Sequence, residues 1–330
     1  MARHRAGPAR RRGRTTIIVA AVVAVALAIG IGGLIAVRTM MRPADGGNPV
    51  ATGLSTGSDG VSQSETDETD RADREVTAVP APAAPKEPDP SETRVAAVKQ
   101  VLDTKLAQYG GTWSATYIDL ESGRDVTVND EKLVAASLVK LYIMLAVFDG
   151  IEHGTITDDA NVDALLKQMI TVSSNEAANG LLSRIGNGDD KAAIATVTAT
   201  AQRYGFTSSE ELRTLTGMAS GNAVENWTST RDCGSFLSQV YAGTLVSKNA
   251  SERMMQLLLG QTRRTKIPAG VPSGVKVANK TGELAAVQND VAVVFGTHPY
   301  VLAVMSNDIS SAVAPSQITE LSRAVWDAAQ

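Results

Sequence analysis

The chain has 330 residues, 43% of them hydrophobic, with a net charge of -4, enough for one large domain plus extras or two small ones. Residues 1–42 hold eight Arg and no acid, residues 43–92 eleven acids against three bases, and residues 93–330 24 acids against 20 bases. The mildly acidic body excludes a nucleic-acid footprint, which needs clustered Lys and Arg; the single Cys233 excludes an internal disulfide, and His4, His153 and His298 form no zinc-ligand cluster.

In chain order, residues 1–16 read as a basic cytoplasmic tail. Residues 17–37, Ile17 to Val37, are uncharged and almost wholly apolar. That length spans a bilayer core, and the preceding arginines stay on the cytoplasmic side. Arg38 and the length favour an uncleaved single-pass anchor over a cleaved signal, which places the rest of the chain outside the cell membrane. Residues 38–92 are rich in Pro and acids; seven of the twelve prolines fall between 43 and 92. They read as a disordered tether. Residues 93–330 read as the folded domain.

Within that domain, apolar spacing predicts a helix from Arg94 to Tyr109. Strands follow at Thr112–Leu120 and Asp125–Asn129, joined by a turn at Glu121–Arg124. An apolar helix starts near Ser137. Further helices fall at Val162–Thr171, Asn175–Ile185 and Asp190–Tyr204. Residues 206–228 read as irregular. Helices return at Ser229–Ala242 and Ala250–Leu259. Three strands, Val275–Glu283, Val291–Gly296 and Tyr300–Ser306, precede a last helix at Pro315–Ala328. Strands at both ends and helices between them predict an α+β fold: an antiparallel sheet flanked by helices, with an inserted helical subdomain.

Chemistry enters at Ser137-Leu138-Val139-Lys140. Positions i and i+3 share one helix face, so the Lys140 amine can reach the Ser137 hydroxyl. A serine needs a base to become a nucleophile, and a lysine serves as one when burial lowers its pKa. The apolar run through Phe148 supplies that burial. With no histidine in a triad-like context, lysine is the better base. The spacing alone is weak: it recurs at Ser273-Gly274-Val275-Lys276, and Ser137 reads equally well as an ordinary helix cap.

Two further stretches decide between these readings. One is Ser173-Ser174-Asn175 in the corner between two helices. The other is Lys280-Thr281-Gly282 on a strand. With Ser137–Lys140, in this order, the chain resembles the penicillin-recognising serine hydrolases, most closely the class A β-lactamases. The resemblance covers about residues 94–330. It implies an acyl-enzyme on Ser137 formed with Lys140 as base or relay. It implies that Ser173 passes a proton to the leaving nitrogen, and that Asn175 holds Lys140 and the substrate amide. It implies that Lys280 attracts a substrate carboxylate and lowers the Lys140 pKa, that Thr281 donates to that carboxylate, and that Gly282 lets the substrate approach the strand. The backbone N–H groups of Ser137 and Glu283 would form the oxyanion hole. No metal or cofactor is implied.

Two departures from the class A pattern stand out. Only 35 residues separate Ser137 from Ser173, which trims one wall of the cleft. The best match to the family's Glu-x-x-Leu-Asn loop is Ser209-Glu210-Glu211-Leu212-Arg213, with Ser209 where the water-activating glutamate belongs. Three readings follow. The first is β-lactam hydrolysis, or cleavage of a related amide or ester. The second is a cell-wall D,D-peptidase or slow penicillin binder acting on a peptidoglycan-like substrate. The third is a non-catalytic envelope binding domain.

Overall fold

The computed structural model describes residues 89–215 and 224–330. The predicted tail, the anchor at 17–37 and nearly all of the tether at 38–92 lie outside the described residues. No helix among the described residues is long and apolar enough to cross a membrane.

Helix α1 (Pro90–Leu106) opens inside the stretch predicted as tether. The Asp-Pro pair is a helix start. Asp89 accepts from the Ser91 N–H at 2.9 Å, and Pro90 occupies the first turn, where its missing N–H costs nothing. Strands β1 (Thr112–Asp119) and β2 (Asp125–Val128) then form a hairpin. The strands β5 (Lys276–Leu284), β6 (Val287–Phe295) and β7 (Tyr300–Asn307) close the chain. The five make one antiparallel sheet in the order β2-β1-β7-β6-β5. First and last strands thus lie side by side, with Ala115 opposite Val304.

The sheet is buried on both faces, and the period of two sorts its side chains. Ala115, Tyr117, Ala292, Val294, Leu302 and Val304 pack with α1 and with α9 (Ala314–Ala329). Ala278, Val291, Val293, Val301, Ala303 and Met305 face the helical insert. That insert contains α2 (Lys140–Glu152), α3 (Ala160–Thr171), α4 (Asn175–Ile185), α5 (Asp190–Arg203), α6 (Thr230–Ala242) and α7 (Lys248–Leu259). Asp159, Ser174, Asp189, Ser229 and Ser247 cap five of these helices with their side chains. Helix α2 is buried from Lys140 through Phe148, as an all-round apolar sequence requires.

The antiparallel sheet with an inserted helical subdomain agrees with the sequence reading. Three small elements were not foreseen. Strands β3 (Lys132–Val134) and β4 (Trp227–Ser229) pair antiparallel, and Glu210 bridges to Trp227. The segment read as irregular is therefore stitched to the residues just before Ser137. Three-residue strands are too short to show an alternating pattern. The short helix α8 (Ile267–Gly270) follows α7.

Candidate active site

Ser137 sits in a 3-10 turn, Ala136–Val139, immediately before α2. Ala136 has φ +47°, a left-handed conformation that costs a non-glycine residue about 1 kcal/mol or more. The turn is held from two sides. Ala135 donates its N–H to the Asn226 carbonyl at 2.8 Å. Asn289 Nδ2 donates to the carbonyls of Val134 and Ala135 at 3.0 and 3.2 Å. Ser137 is not an ordinary cap, because its Oγ meets Lys140 Nζ at 3.1 Å and α2 starts without a side-chain cap.

Lys140 is fully buried. Its Nζ donates to the Ser173 carbonyl at 2.6 Å and to Asn175 Oδ1 at 2.7 Å. It also lies 3.2 Å from Ser173 Oγ. The α3–α4 corner produces this convergence. Ser173 adopts φ +61°, and its neighbour Ser174 caps α4 by accepting from the Ala177 N–H. Ser173 and Asn175 are thereby freed to face the amine. Burial, then the nearby Arg263 charge, push Lys140 down to about 7.

Lys280 reaches the same point from β5. Its Nζ donates to Ser173 Oγ at 2.9 Å and to the Thr281 carbonyl at 2.8 Å. Burial first, then the charges of Lys140 and Arg263, hold it well below the ordinary lysine range. Arg263 is a further cationic side chain at this point: its charge helps push Lys140 down and, with that of Lys140, helps push Lys280 down.

A crevice of about 180 Å³ is lined by Ser137, Ser173, Asn175, Arg263, Thr281 and Glu283. Gly282 is absent from that lining. A Cβ there would stand 2.7 Å from the Ala135 carbonyl oxygen and 3.2 Å from Leu138 Cγ. The glycine leaves room for the nucleophile's own turn. Glu283 brings its side chain as well as its backbone. Its Oε2 accepts from Arg263 at 2.7 Å and its Oε1 from Lys266 at 2.9 Å. A larger groove of about 650 Å³ lies between α3 and α7, but its Arg253 is committed to Asp158 and Asp163 and it contains no nucleophile.

Sequence reasoning passed over Arg263 and Lys266, and set Glu211 aside because its register in the loop does not match the family's glutamate. The two cations lie in the loop before Ile267, where no spacing announces a crevice. Glu211 is buried, and its Oε2 has no hydrogen-bond partner among the described residues. Its backbone N–H and carbonyl both bond Thr198 Oγ1 at 3.0 Å. Its Oε1 faces Asn226 Nδ2 at 3.5 Å. Burial pushes it up to about 8 against the pull of Arg213 and Lys140. Ser209, read in the glutamate's place, instead donates to Asp232 at 2.7 Å. Leu215 is the loop residue tied to α4, its N–H bonded to Asn179 Oδ1 at 2.8 Å.

A serine hydroxyl beside a buried lysine, in this fold, defines a serine hydrolase of the β-lactamase type. The model of the β-lactamase enzyme family matches residues 95–163 and 159–329, and the chain belongs to that family. The solved structure of PBP-A is 22% identical, with a TM-score of 0.62, covering 71% of this chain and 95% of that one. A point mutant of PBP-A, solved as an acyl-enzyme complex with penicillin G, gives 22% and 0.61, covering 71% of this chain and 96% of that one. A β-lactamase from Sphaerobacter thermophilus is 23% identical, with a TM-score of 0.60, covering 72% of this chain and 97% of that one. At these identities the structures speak for the fold. No curated protein matches the chain.

Proposed function

We propose that the domain forms an acyl-enzyme on Ser137 with β-lactams or with a related D-amino-acid amide or ester, and releases it slowly. The observation that carries this reading is the hydrogen bonding of Lys140. A neutral amine has two N–H bonds and one lone pair. The carbonyl of Ser173 and Oδ1 of Asn175 only accept, and they take the two N–H bonds. The lone pair is left for the Ser137 hydroxyl proton at 3.1 Å. With its pKa near 7, about half the molecules carry that neutral amine at neutral pH, which suits a general base.

As Ser137 Oγ bonds to the acyl carbon, its proton passes to Lys140. The N–H groups of Ser137 and Glu283 hold the developing oxyanion. Ser173 Oγ, between the two lysine amines, delivers a proton to the leaving nitrogen as the C–N bond breaks and takes back the proton that Lys140 received from Ser137, which leaves Lys140 neutral again. Asn175 keeps one amide hydrogen bond for the substrate. Thr281 and the cations near it receive a carboxylate. Penicillin G bound as an acyl-enzyme to the PBP-A mutant is in keeping with this class of ligand.

Slow release is supported by the crevice lining. Its one carboxylate, Glu283, is paired with two cations. Glu211 is not part of that lining, and burial pushes it up to about 8. Among the described residues, water entering the crevice would meet no free carboxylate base in its lining. This favours a D,D-peptidase or slow penicillin binder over an efficient β-lactamase. We further propose that residues 17–37 anchor the chain and residues 38–92 hold the domain outside the membrane. The test adds a fluorescent penicillin and a chromogenic cephalosporin to the full chain. A lasting adduct with little turnover supports the proposal; rapid turnover supports a β-lactamase; neither leaves a binding domain.

A further inference from the structure

We infer that Glu283 is an internal stand-in for the substrate's carboxylate, and that its exchange at Arg263 sets the preference for carboxylated substrates. The inference rests on the acyl-enzyme reading and deepens it.

The crevice holds about 180 Å³ and is open to solvent, so an entering substrate meets the groups at its rim first. Ser137, Ser173 and Asn175 are tied to Lys140, and Thr281 is buried. Arg263 and Glu283 are the exposed pair, with side chains 48% and 33% accessible. Their 2.7 Å contact is what a ligand carboxylate would have to replace.

The two oxygens of Glu283 are held unequally. Oε1 accepts from Lys266, which is 1% exposed and also donates to the Asn289 carbonyl at 3.1 Å. Oε2 accepts from Arg263 at the rim. Glu283 can therefore give up Arg263 while Lys266 keeps it anchored. Arg263 has a fixed loop behind it, its N–H bonded to Gln261 and its carbonyl to Asn279. The freed guanidinium stays at the mouth of the crevice. Arg263 also keeps its charge there, since an arginine does not lose its proton. A carboxylated substrate thus competes with Glu283 for that guanidinium. An uncharged one does not.

The experiment compares acylation rates of benzylpenicillin and its methyl ester on the full chain, by intact mass, and reads their ratio. Glu283→Gln weakens the competitor and is expected to raise the ratio about two- to fivefold, the scale of one exposed ion pair. Arg263→Gln is expected to lower it about tenfold, the loss of one charge-assisted hydrogen bond. The double variant is expected to match Arg263→Gln alone, because the gain acts through the guanidinium. Arg263 is half exposed and keeps the test open should Glu283→Gln fail to fold. An unchanged ratio in a folded Glu283→Gln variant or in Arg263→Gln, or a gain that persists without Arg263, overturns the inference. Acylation by neither probe in the unmodified chain overturns the acyl-enzyme reading instead.

Discussion

Replacing Lys140 by Met separates what the amine does from what it costs. Methionine matches the unbranched stem but carries no charge. Holding an amine of ordinary pKa 10.5 near 7 costs the folded state roughly 5 kcal/mol, at about 1.36 kcal/mol per pKa unit. Lys140→Met removes that cost. It also strips the Ser173 carbonyl and Asn175 Oδ1 of their donor, a loss of about 1–3 kcal/mol for each group left buried. The two losses together come to about 2–6 kcal/mol, so the balance at or below about pH 7 runs from a gain of about 3 to a loss of about 1 kcal/mol, and its change with pH carries the test. The balance depends on pH. An unfolded lysine keeps its proton to about 10.5, while the folded amine releases it near 7. Between those values the unfolded chain holds more protons, so the unmodified protein gains stability as pH rises. The advantage of the variant is therefore largest at or below about pH 7 and fades toward pH 10. Thermal melts of both proteins across that range, with penicillin labelling in parallel, make the test. A variant whose Tm relative to the unmodified protein does not fall between about pH 7 and pH 10, or that still acylates at the original rate, refutes the reasoning.

Other outcomes follow from single contacts. Acylation of the unmodified chain should rise with pH through about 7 and then level, as Lys140 becomes neutral; stopped-flow labelling reads it, and a flat profile contradicts lysine as base. Glu211→Gln should leave the adduct lifetime unchanged, since Glu211 neither lines the crevice nor is ionised at neutral pH. It should also raise Tm. The unfolded carboxyl loses its proton near 4.5 and the folded one near 8, so the unmodified protein loses stability as pH climbs between them, and the gain is complete above about pH 8. A markedly longer-lived adduct would show that Glu211 helps water attack. Gly282→Ala should destabilise by about 1–3 kcal/mol, the usual cost of overpacking, because its Cβ meets the Ala135 carbonyl at 2.7 Å; denaturant melts measure this, and an unchanged midpoint counts against the packing role.

The sheet and the main helices were legible because they repeat a period over many residues. Tyr117 and Ile118 on β1, or Leu181 and Leu182 on α4, fall on faces that the sequence already distinguishes. Ser137, Lys140, Ser173, Asn175 and Lys280 were found through three short motifs, and the fold brings them into contact across up to 107 residues of separation. What escaped depends on contacts between segments with no pattern of their own. Strands β3 and β4 are three residues each. Arg263 and Lys266 gain meaning only because the loop after α7 turns back onto β5. Glu211 was set aside by its register in the loop, yet burial beside Asn226 and the reach of the Lys140 charge decide its state. Gly282 was assigned to the substrate's approach; the room it leaves for the turn that presents the nucleophile is visible only in the fold.

The most direct measurement is an intact-mass and peptide-mapping time course of the full chain with benzylpenicillin, alongside Ser137→Ala. One adduct per chain on the Ser137 peptide, persisting over many minutes and absent from the variant, is expected. An adduct on another residue, or labelling that survives Ser137→Ala, contradicts the assignment of Ser137 and Lys140 as nucleophile and base.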